Sequence, residues 1–463
     1  MRIKKRQLAY IKNILARRFT GVIMKKELTM SIIIFICLMI GFLFSVKITE
    51  EQNNKNLVQN NTYSSEYRMD NDTYDKIAKP SEKAIEYQHK KVAVWVTRII
   101  LSMIIPAIFI FSGFASSMRN WVQSKSNMFL TTIIFYFALY YTISSLLTMP
   151  LDYYSSYLLK HAYGLSNQSF GKWVSDFFKS YTIGVLSGAL FIWIPYLLIK
   201  KSPSYWWLQL GILIIPIIFF VTFISPVYID PLFNKYEKMQ NTVLEQKIYD
   251  EIGKTTIENC KVYQINKSVD TKEMNAYMTG VLNTKRIVLW DTTIKNLNQR
   301  EVLCIVAHEM GHYLMGHVWK AIIFAGVSFI LILYLINKSA IWILDKSRGV
   351  FGFTKLHDIA SLPLIILLIN IFIFVTTPVS NAYSRYTEME ADRFELELTR
   401  DNEASISSTI KLHEESLALP TIGLIYKLWN YTHPTFQERV EFANKYKPWE
   451  ENKPLKYGKY IKH

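Results

Sequence analysis

Residues 308–312 read HEMGH, two histidines four positions apart with a glutamate directly after the first. On a helix, positions i and i+4 lie one turn apart on one face, so His308 and His312 can each present an imidazole nitrogen to one Zn²⁺ about 2 Å away. Glu309, beside the first ligand, is then placed to act as general base toward a water on the metal. The enclosing run EVLCIVAHEMGHYLMGHV has apolar residues at helical spacing on its remaining face. The bland alternative is a surface helix with two solvent-facing histidines. What separates the readings is a third protein ligand with a fourth position left open, the arrangement of a catalytic zinc.

Two arrangements would supply that ligand. The first, HExxHxxGxxH, needs Gly at 315 and His at 318, where this chain has Met315 and Val318. Gly316 and His317 each stand one residue out of place, so this arrangement fails. The second puts a glutamate on a later helix, four residues before another acid, and SRYTEMEADRFELELT at 384–399 offers Glu388 and Asp392. Glu388 is the predicted third ligand. Asp392, one turn on, can accept the free ring N–H of a zinc-bound histidine and fix its tautomer. Glu390 competes, but it lies about 200° round the helix from Glu388 and has no acid four residues later. One Zn²⁺ per chain is expected.

Three further residues carry two readings each. His433, opening HPTFQER, is either a structural hydrogen bonder or an electrophile facing the oxyanion formed when a peptide carbonyl is attacked. Arg439 is either a helix-surface charge or the partner of an acid near the metal or of a substrate carboxylate. EMNAYMTG (273–280) and TKRIVLWD (284–291) read as two strands joined by a turn around Leu282 and Asn283. An exposed edge strand beside the zinc helix would let an extended peptide dock by main-chain hydrogen bonds. Asn275 either holds that peptide's backbone or satisfies its own turn.

The elements that must position these residues are mostly membrane spans. Of 463 residues, 50% are hydrophobic, 14% aromatic and only 19% charged, which excludes a disordered chain, a collagen-like repeat and an ordinary soluble enzyme. Apolar runs near the roughly 20 residues that cross a bilayer fall at about 30–46, 96–116, 127–149, 180–199, 205–227, 319–337 and 359–379. The first is short and follows basic residues, yet no small-residue cleavage site follows Val46, so it reads as a retained anchor. The chain thus divides into a five-span membrane region (1–227), a first part of the zinc domain (228–318), two further spans (319–379) and a second part of the zinc domain (380–463). The 48–91 stretch shows no hydrophobic periodicity and reads as a loosely docked connection. Cys37, Cys260 and Cys304 are too scattered for a disulfide framework or a CxxC site.

The net charge of +16 is a matter of position. Residues 1–27 hold nine Lys/Arg and a single acid, Glu27, and the loops at 117–126, 200–204 and 338–358 add basic residues on the same side. No nucleic-acid partner is expected. The positive-inside rule makes that face cytoplasmic and sends both polar blocks to the other side of the membrane.

The pattern resembles the integral-membrane zinc metalloproteases of the CAAX prenyl endopeptidase type, the seven-span gluzincin branch. The resemblance rests on HAYGLSNQSFGKW (161–173), DPLFNKY (230–236), MNAYMTGVLNTKRIVLWDT (274–292), the HEMGH helix, NAYSRYTEMEAD (381–392) and THPTFQERV (432–440). It implies a mostly α, seven-span helical membrane protein with a gluzincin-like zinc metalloprotease domain carrying a small β-sheet. It also implies His308, His312 and Glu388 as ligands, Glu309 as base, Asp392 as support, Asn275 and His433 near the substrate and oxyanion, and Arg439 as a site-supporting charge. The expected partners are the lipid bilayer and a peptide or protein substrate, lipidated or membrane-inserted, and the expected place is the cell membrane. The resemblance implies a cytoplasmic zinc domain, opposite to the charge rule. Two rival readings stand beside it: a quality-control protease of the shorter heat-shock type, and a transporter or receptor with a structural zinc site. Nearly uncharged span centres and the three-ligand, one-base pattern weigh against the last.

Overall fold

The computed structural model describes residues 37–57, 80–280 and 284–462, together with Met30 and Ile34. Helix α1 covers 37–57. Then come α2 (Glu82–Phe111), α3 (Phe114–Lys125) and α4 (Phe129–Tyr153), which continues through a π turn to Ala162. α5 (Phe170–Phe191) and α6 (Trp193–Lys201) make one long rod, and α7 (Trp206–Ile224) turns back against α6. Among the described residues six helical stretches are long and apolar enough to cross a membrane: Glu82–Phe111, Phe129–Ala162, Phe170–Lys201, Trp206–Ile224, His317–Ser347 and Ile359–Thr399. The first predicted span, 30–46, lies partly outside the described residues, so six stands where seven were expected. Ile212, Phe220 and Val221 of α7 are more than half exposed, as a lipid-facing surface requires. Polar groups between the helices find partners instead: Trp206 Nε1 donates to Asn337 Oδ1 at 2.8 Å, both buried.

The helices outrun the hydropathy reading, and this corrects the 48–91 connection. α1 stays helical to residue 57, and α2 starts at Glu82, where the Ser81 hydroxyl caps the Ala84 N–H at 3.2 Å. Hydropathy marks only the lipid-facing part of a helix; the extension of α2 is amphipathic and packs Tyr87 on Tyr163 with ring centroids 4.9 Å apart. α1 likewise reaches the second polar block, where Asn53 Nδ2 donates to the Thr421 carbonyl at 3.1 Å.

The first polar block builds a four-stranded sheet from β1 (Tyr236–Lys238), β2 (Lys261–Ile265), β3 (Ala276–Thr279) and β4 (Arg286–Trp290), with α8 (Thr242–Gly253) after β1. Strand order is β1-β2-β4-β3, with β2 parallel to β4 and the other pairs antiparallel. The two strands read from sequence are therefore β3 and β4, with Met278 opposite Ile287, and β3 is one of the two edge strands. Their connecting turn at Leu282 and Asn283 lies outside the described residues. After α9 (Asp291–Asn296), α10 (Gln299–Leu314) carries HEMGH. Its apolar face, Val302, Val306 and Met310, packs with Ile287 and Leu289 of β4 and with Phe394 in one fully buried core.

α11 (His317–Ser347) and α12 (Leu362–Thr399) then form a hairpin of long helices, followed by α13 (Asn402–Glu415), α14 (Leu424–Asn430) and α15 (Phe436–Lys445). The last span and the segment carrying Glu388 are a single 38-residue helix, α12. Between α10 and α11 the chain turns at Gly316, whose φ of +67° favours glycine.

Candidate active site

α10 is anchored firmly at its N-terminus. Asn298 caps it by accepting from Glu301 N at 3.0 Å, and Glu301 Oε2 accepts from Asn298 N at 2.8 Å, a reciprocal capping box. Glu301, 1% exposed, is also gripped by Lys411 of α13 at 2.7 and 2.9 Å and by Ser407 at 2.6 Å. Along the helix, Gly311 brings the backbone against α12: a Cβ there would stand 3.0 Å from Phe394 Cδ1. That close approach lets Glu388, two turns earlier on α12, reach the histidine face.

Three donor atoms converge as a result. His308 Nε2 lies 3.2 Å from Glu388 Oε2 and 3.2 Å from His312 Nε2, which is itself 3.5 Å from the same glutamate oxygen. Ligands at tetrahedral angles about 2.05 Å from a zinc stand about 3.3 Å apart, so the donor triangle fits one small cation. The fit is chemical as well as metric, because facing imidazole nitrogens of neutral rings repel through their lone pairs unless a cation or proton lies between them. His308 and Glu388 are 7% and 8% exposed, whereas His312 is half-buried on the open side.

The outer nitrogen of each histidine also meets a partner. His308 Nδ1 is 2.9 Å from Asp392 Oδ1. Arg439 grips the same carboxylate twice, Nη2 to Oδ1 at 2.6 Å and Nε to Oδ2 at 3.0 Å. Of the partners open to Arg439 from sequence, an acid, Asp392 beside the donor triangle, is the one it meets. Glu395 stands 3.9 Å from His308 Nδ1 behind them, so the His308, Asp392 and Glu395 cluster is the back of this same centre. Behind His312, Nδ1 is 2.9 Å from His317 Nδ1, and His317 Nε2 is 3.5 Å from Glu390 Oε2. Tyr457 donates to Glu390 Oε1 at 2.6 Å. Sequence reasoning missed His317 and Tyr457. His317 had a visible signal, a histidine opening a helix just past the HEMGH turn, where it can serve as support for a ligand instead of as a ligand.

Glu309 points into the cleft beside β3. Burial pushes its carboxyl above the usual carboxylate range, while the two histidines and the Met278 N–H pull it back. His433 is exposed, with Nε2 3.2 Å from Glu388 Oε2 and Nδ1 2.9 Å from Thr432 Oγ1, so it faces the open side of the donor triangle. Asn275 is exposed at the start of the edge strand, and its Oδ1 accepts from the Ala276 N–H at 2.8 Å. Part of its side chain therefore serves its own turn. A cavity of about 360 Å³ lies between the edge strand and His312, with Tyr277, Met278, Phe223 and Trp319 in its walls. A second of about 360 Å³ runs between α11 and α12, from His312 and Glu388 to Phe324 and Ser380.

Residues 238–447 match peptidase family M48, and residues 68–235 match the CAAX prenyl protease N-terminal region of five membrane helices. The chain is 35% identical over 387 residues to a Bacillus subtilis protein described as uncharacterized metalloprotease YhfN, covering 81% of this chain and 88% of that one. It is 26% identical over 317 residues to CAAX prenyl protease 1 of Saccharomyces cerevisiae, covering 65% and 69% of the two chains. The crystal structure of S. mikatae Ste24p has the same fold, with a TM-score of 0.74 over 88% of this chain and 96% of that one at 22% identity. The two family matches and the 35% identical relative together give the assignment: the chain belongs to peptidase family M48, as a membrane metalloendopeptidase resembling the CAAX prenyl proteases.

Proposed function

We propose that the chain cleaves peptide bonds with one Zn²⁺ held by His308, His312 and Glu388. The observation that carries this reading is the donor triangle with sides of 3.2 to 3.5 Å, with the Glu309 carboxyl close enough for both histidines to act on it. Zinc, when bound, supplies Lewis acidity toward a water and a scissile carbonyl. Glu309 takes the proton from the attacking water at its carboxylate and delivers it to the leaving amine. His433 donates from its ring to the oxyanion. Asp392, held by Arg439, keeps the proton on His308 Nδ1 so that Nε2 stays a lone-pair donor. The free edge of β3 takes the substrate as an added strand, with the Asn275 amide at one end.

Substrates reach this site from the membrane. The cavity between α11 and α12 supports that route, since it joins the donor triangle to the gap between two spans. A peptide tethered near its end by a lipid, as the names of the CAAX prenyl protease relatives describe, or a membrane-inserted segment, would both enter this way. For the side, the end of the bundle away from the metal centre carries Arg119, Lys125, Lys200, Lys201, Lys338, Lys346, Arg348 and Lys355 against Asp345 and Asp358. That asymmetry supports a cytoplasmic basic face and an extracytoplasmic zinc domain.

The test is Glu309→Gln in the purified full chain. Full zinc content with loss of cleavage of a peptide substrate is expected, and undiminished cleavage sinks the mechanism. A cysteine at Ser124 in a cysteine-free variant tests the side: labelling by an impermeant maleimide on intact cells would reverse it.

A further inference from the structure

The far end of the bundle holds a second site. A cavity of about 680 Å³ opens there, between the end of α3, the start of α4, the end of α6 and the loop before α12. Along α12 a rise of about 1.5 Å per residue puts Leu362 about 39 Å from Glu388, close to the depth of a bilayer with its headgroup layers. The cavity therefore lies at the headgroup level of the opposite leaflet and is separate from the metal centre.

Its lining is chemically specific. Lys200 and Lys355 are exposed in its walls, with His357, Gln123 and Asn127 adding polar groups. Lys200 Nζ rests over the Phe129 ring at 4.9 Å, and among the described residues neither lysine meets a carboxylate within ion-pair distance. The one acid in the lining, Asp358, is already engaged: Arg119 pairs with it, and its Oδ1 accepts from Ala360 N at 3.0 Å. Ile133 and Phe353, 2% and 4% exposed, give the cavity an apolar floor. Trp121, exposed on α3 two residues before Gln123 of the lining, is a residue type that sits at the membrane interface.

Two unpaired ammonium groups, amide donors and an apolar floor at headgroup depth form a receptor for a phosphate oxyanion that carries hydrocarbon. We propose that this cavity binds the phosphate headgroup of an anionic glycerophospholipid, phosphatidylglycerol being the probe. The lysines neutralise the phosphate and the floor takes the first carbons of the glycerol and acyl region. A free phosphate shares the oxyanion chemistry but has nothing to place on the floor.

The test uses the full chain, purified and reconstituted, and measures binding of short-chain phosphatidylglycerol. With two lysines each contributing an ordinary headgroup interaction, Lys200→Gln with Lys355→Gln should weaken binding about thirty-fold. A control pair with the same loss of charge outside the cavity, Lys125→Gln with Lys346→Gln, should change it less than about threefold. Retained cleavage of the peptide substrate in both pairs shows that they fold. Equal weakening by the two pairs would reduce the effect to general surface charge and overturn the site. Equal binding of phosphatidylcholine would remove the anionic selectivity, and full competition by millimolar inorganic phosphate would make the ligand free phosphate; either result overturns the lipid assignment.

Discussion

His317 Nδ1 lies 2.9 Å from His312 Nδ1, so one histidine supports another from the far side of the ring that faces the metal position. With His312 as a metal ligand through Nε2, the contact has one proton arrangement: His312 carries its proton on Nδ1, His317 Nδ1 accepts it, and His317 Nε2 lies 3.5 Å from Glu390 Oε2.

A first prediction follows from that arrangement. His317→Ala should weaken zinc affinity about 10- to 100-fold, the usual cost of losing a ligand's outer support, and shift the absorption bands of the cobalt-substituted enzyme. His317→Gln, which keeps an acceptor near His312 Nδ1, should restore part of the affinity. Zinc affinity and cobalt spectrum both unchanged in the alanine variant would reduce the contact to packing.

Glu388 and Glu390 are two residues apart yet play different parts, and that gives a second prediction. Glu388→Ala removes one corner of the donor triangle and should leave the purified protein nearly free of zinc. Glu390→Ala leaves all three donors in place and should lower affinity while keeping full stoichiometry at saturating zinc. Elemental analysis decides it, and equal zinc content in the two variants refutes the choice of ligand.

What was legible in the sequence was local. The i, i+4 spacing of His308 and His312 and the matching spacing of Glu388 and Asp392 each follow from one helix turn, and their meeting needed only the expectation of a third ligand. Spans were legible because lipid imposes an apolar run. The helical continuation of α2 was not, since its polar turns are stabilised by distant partners, and neither was the continuity of the last span with the helix carrying Glu388. Tyr457 lies 67 positions from Glu390, and no spacing rule connects them. β1 and β2 were missed for the same reason: three- and five-residue strands gain their ladder bonds from each other and from β4.

Arg439 and Asp392 are 15% and 8% exposed at their side chains, and this gives a third prediction. Arg439→Met leaves Asp392 buried without its cation and should cost about 3 to 5 kcal/mol of stability. The double variant Arg439→Met, Asp392→Asn should recover much of that cost but not cleavage, because the new amide can turn its NH2 donor to His308 Nδ1 and hold the ring in the other tautomer. Thermal unfolding alongside peptide hydrolysis separates the two effects; a single variant as stable as the parent contradicts the pairing.

A fourth prediction concerns acid stability and the anchoring of α10. Burial disfavours ionised Glu301, but Lys411, Ser407 and the Asn298 N–H outweigh it and hold the carboxyl below its usual value of 4.5. A depressed folded pKa means the unfolded chain binds the proton more readily. The stabilisation is therefore complete above the unfolded pKa and is lost as pH falls through the lower folded value. Glu301→Gln should cost about 2 kcal/mol at neutral pH, from the weakened capping box and the lost ion pair. The gap between variant and parent should close as the pH falls below about 4. Lys411→Met should show the same closing gap, smaller because Lys411 is 40% exposed and its charge is partly solvated. Denaturant unfolding at a series of pH values measures both, and a gap that widens on acidification would mean that Glu301 is not the carboxylate anchoring this helix.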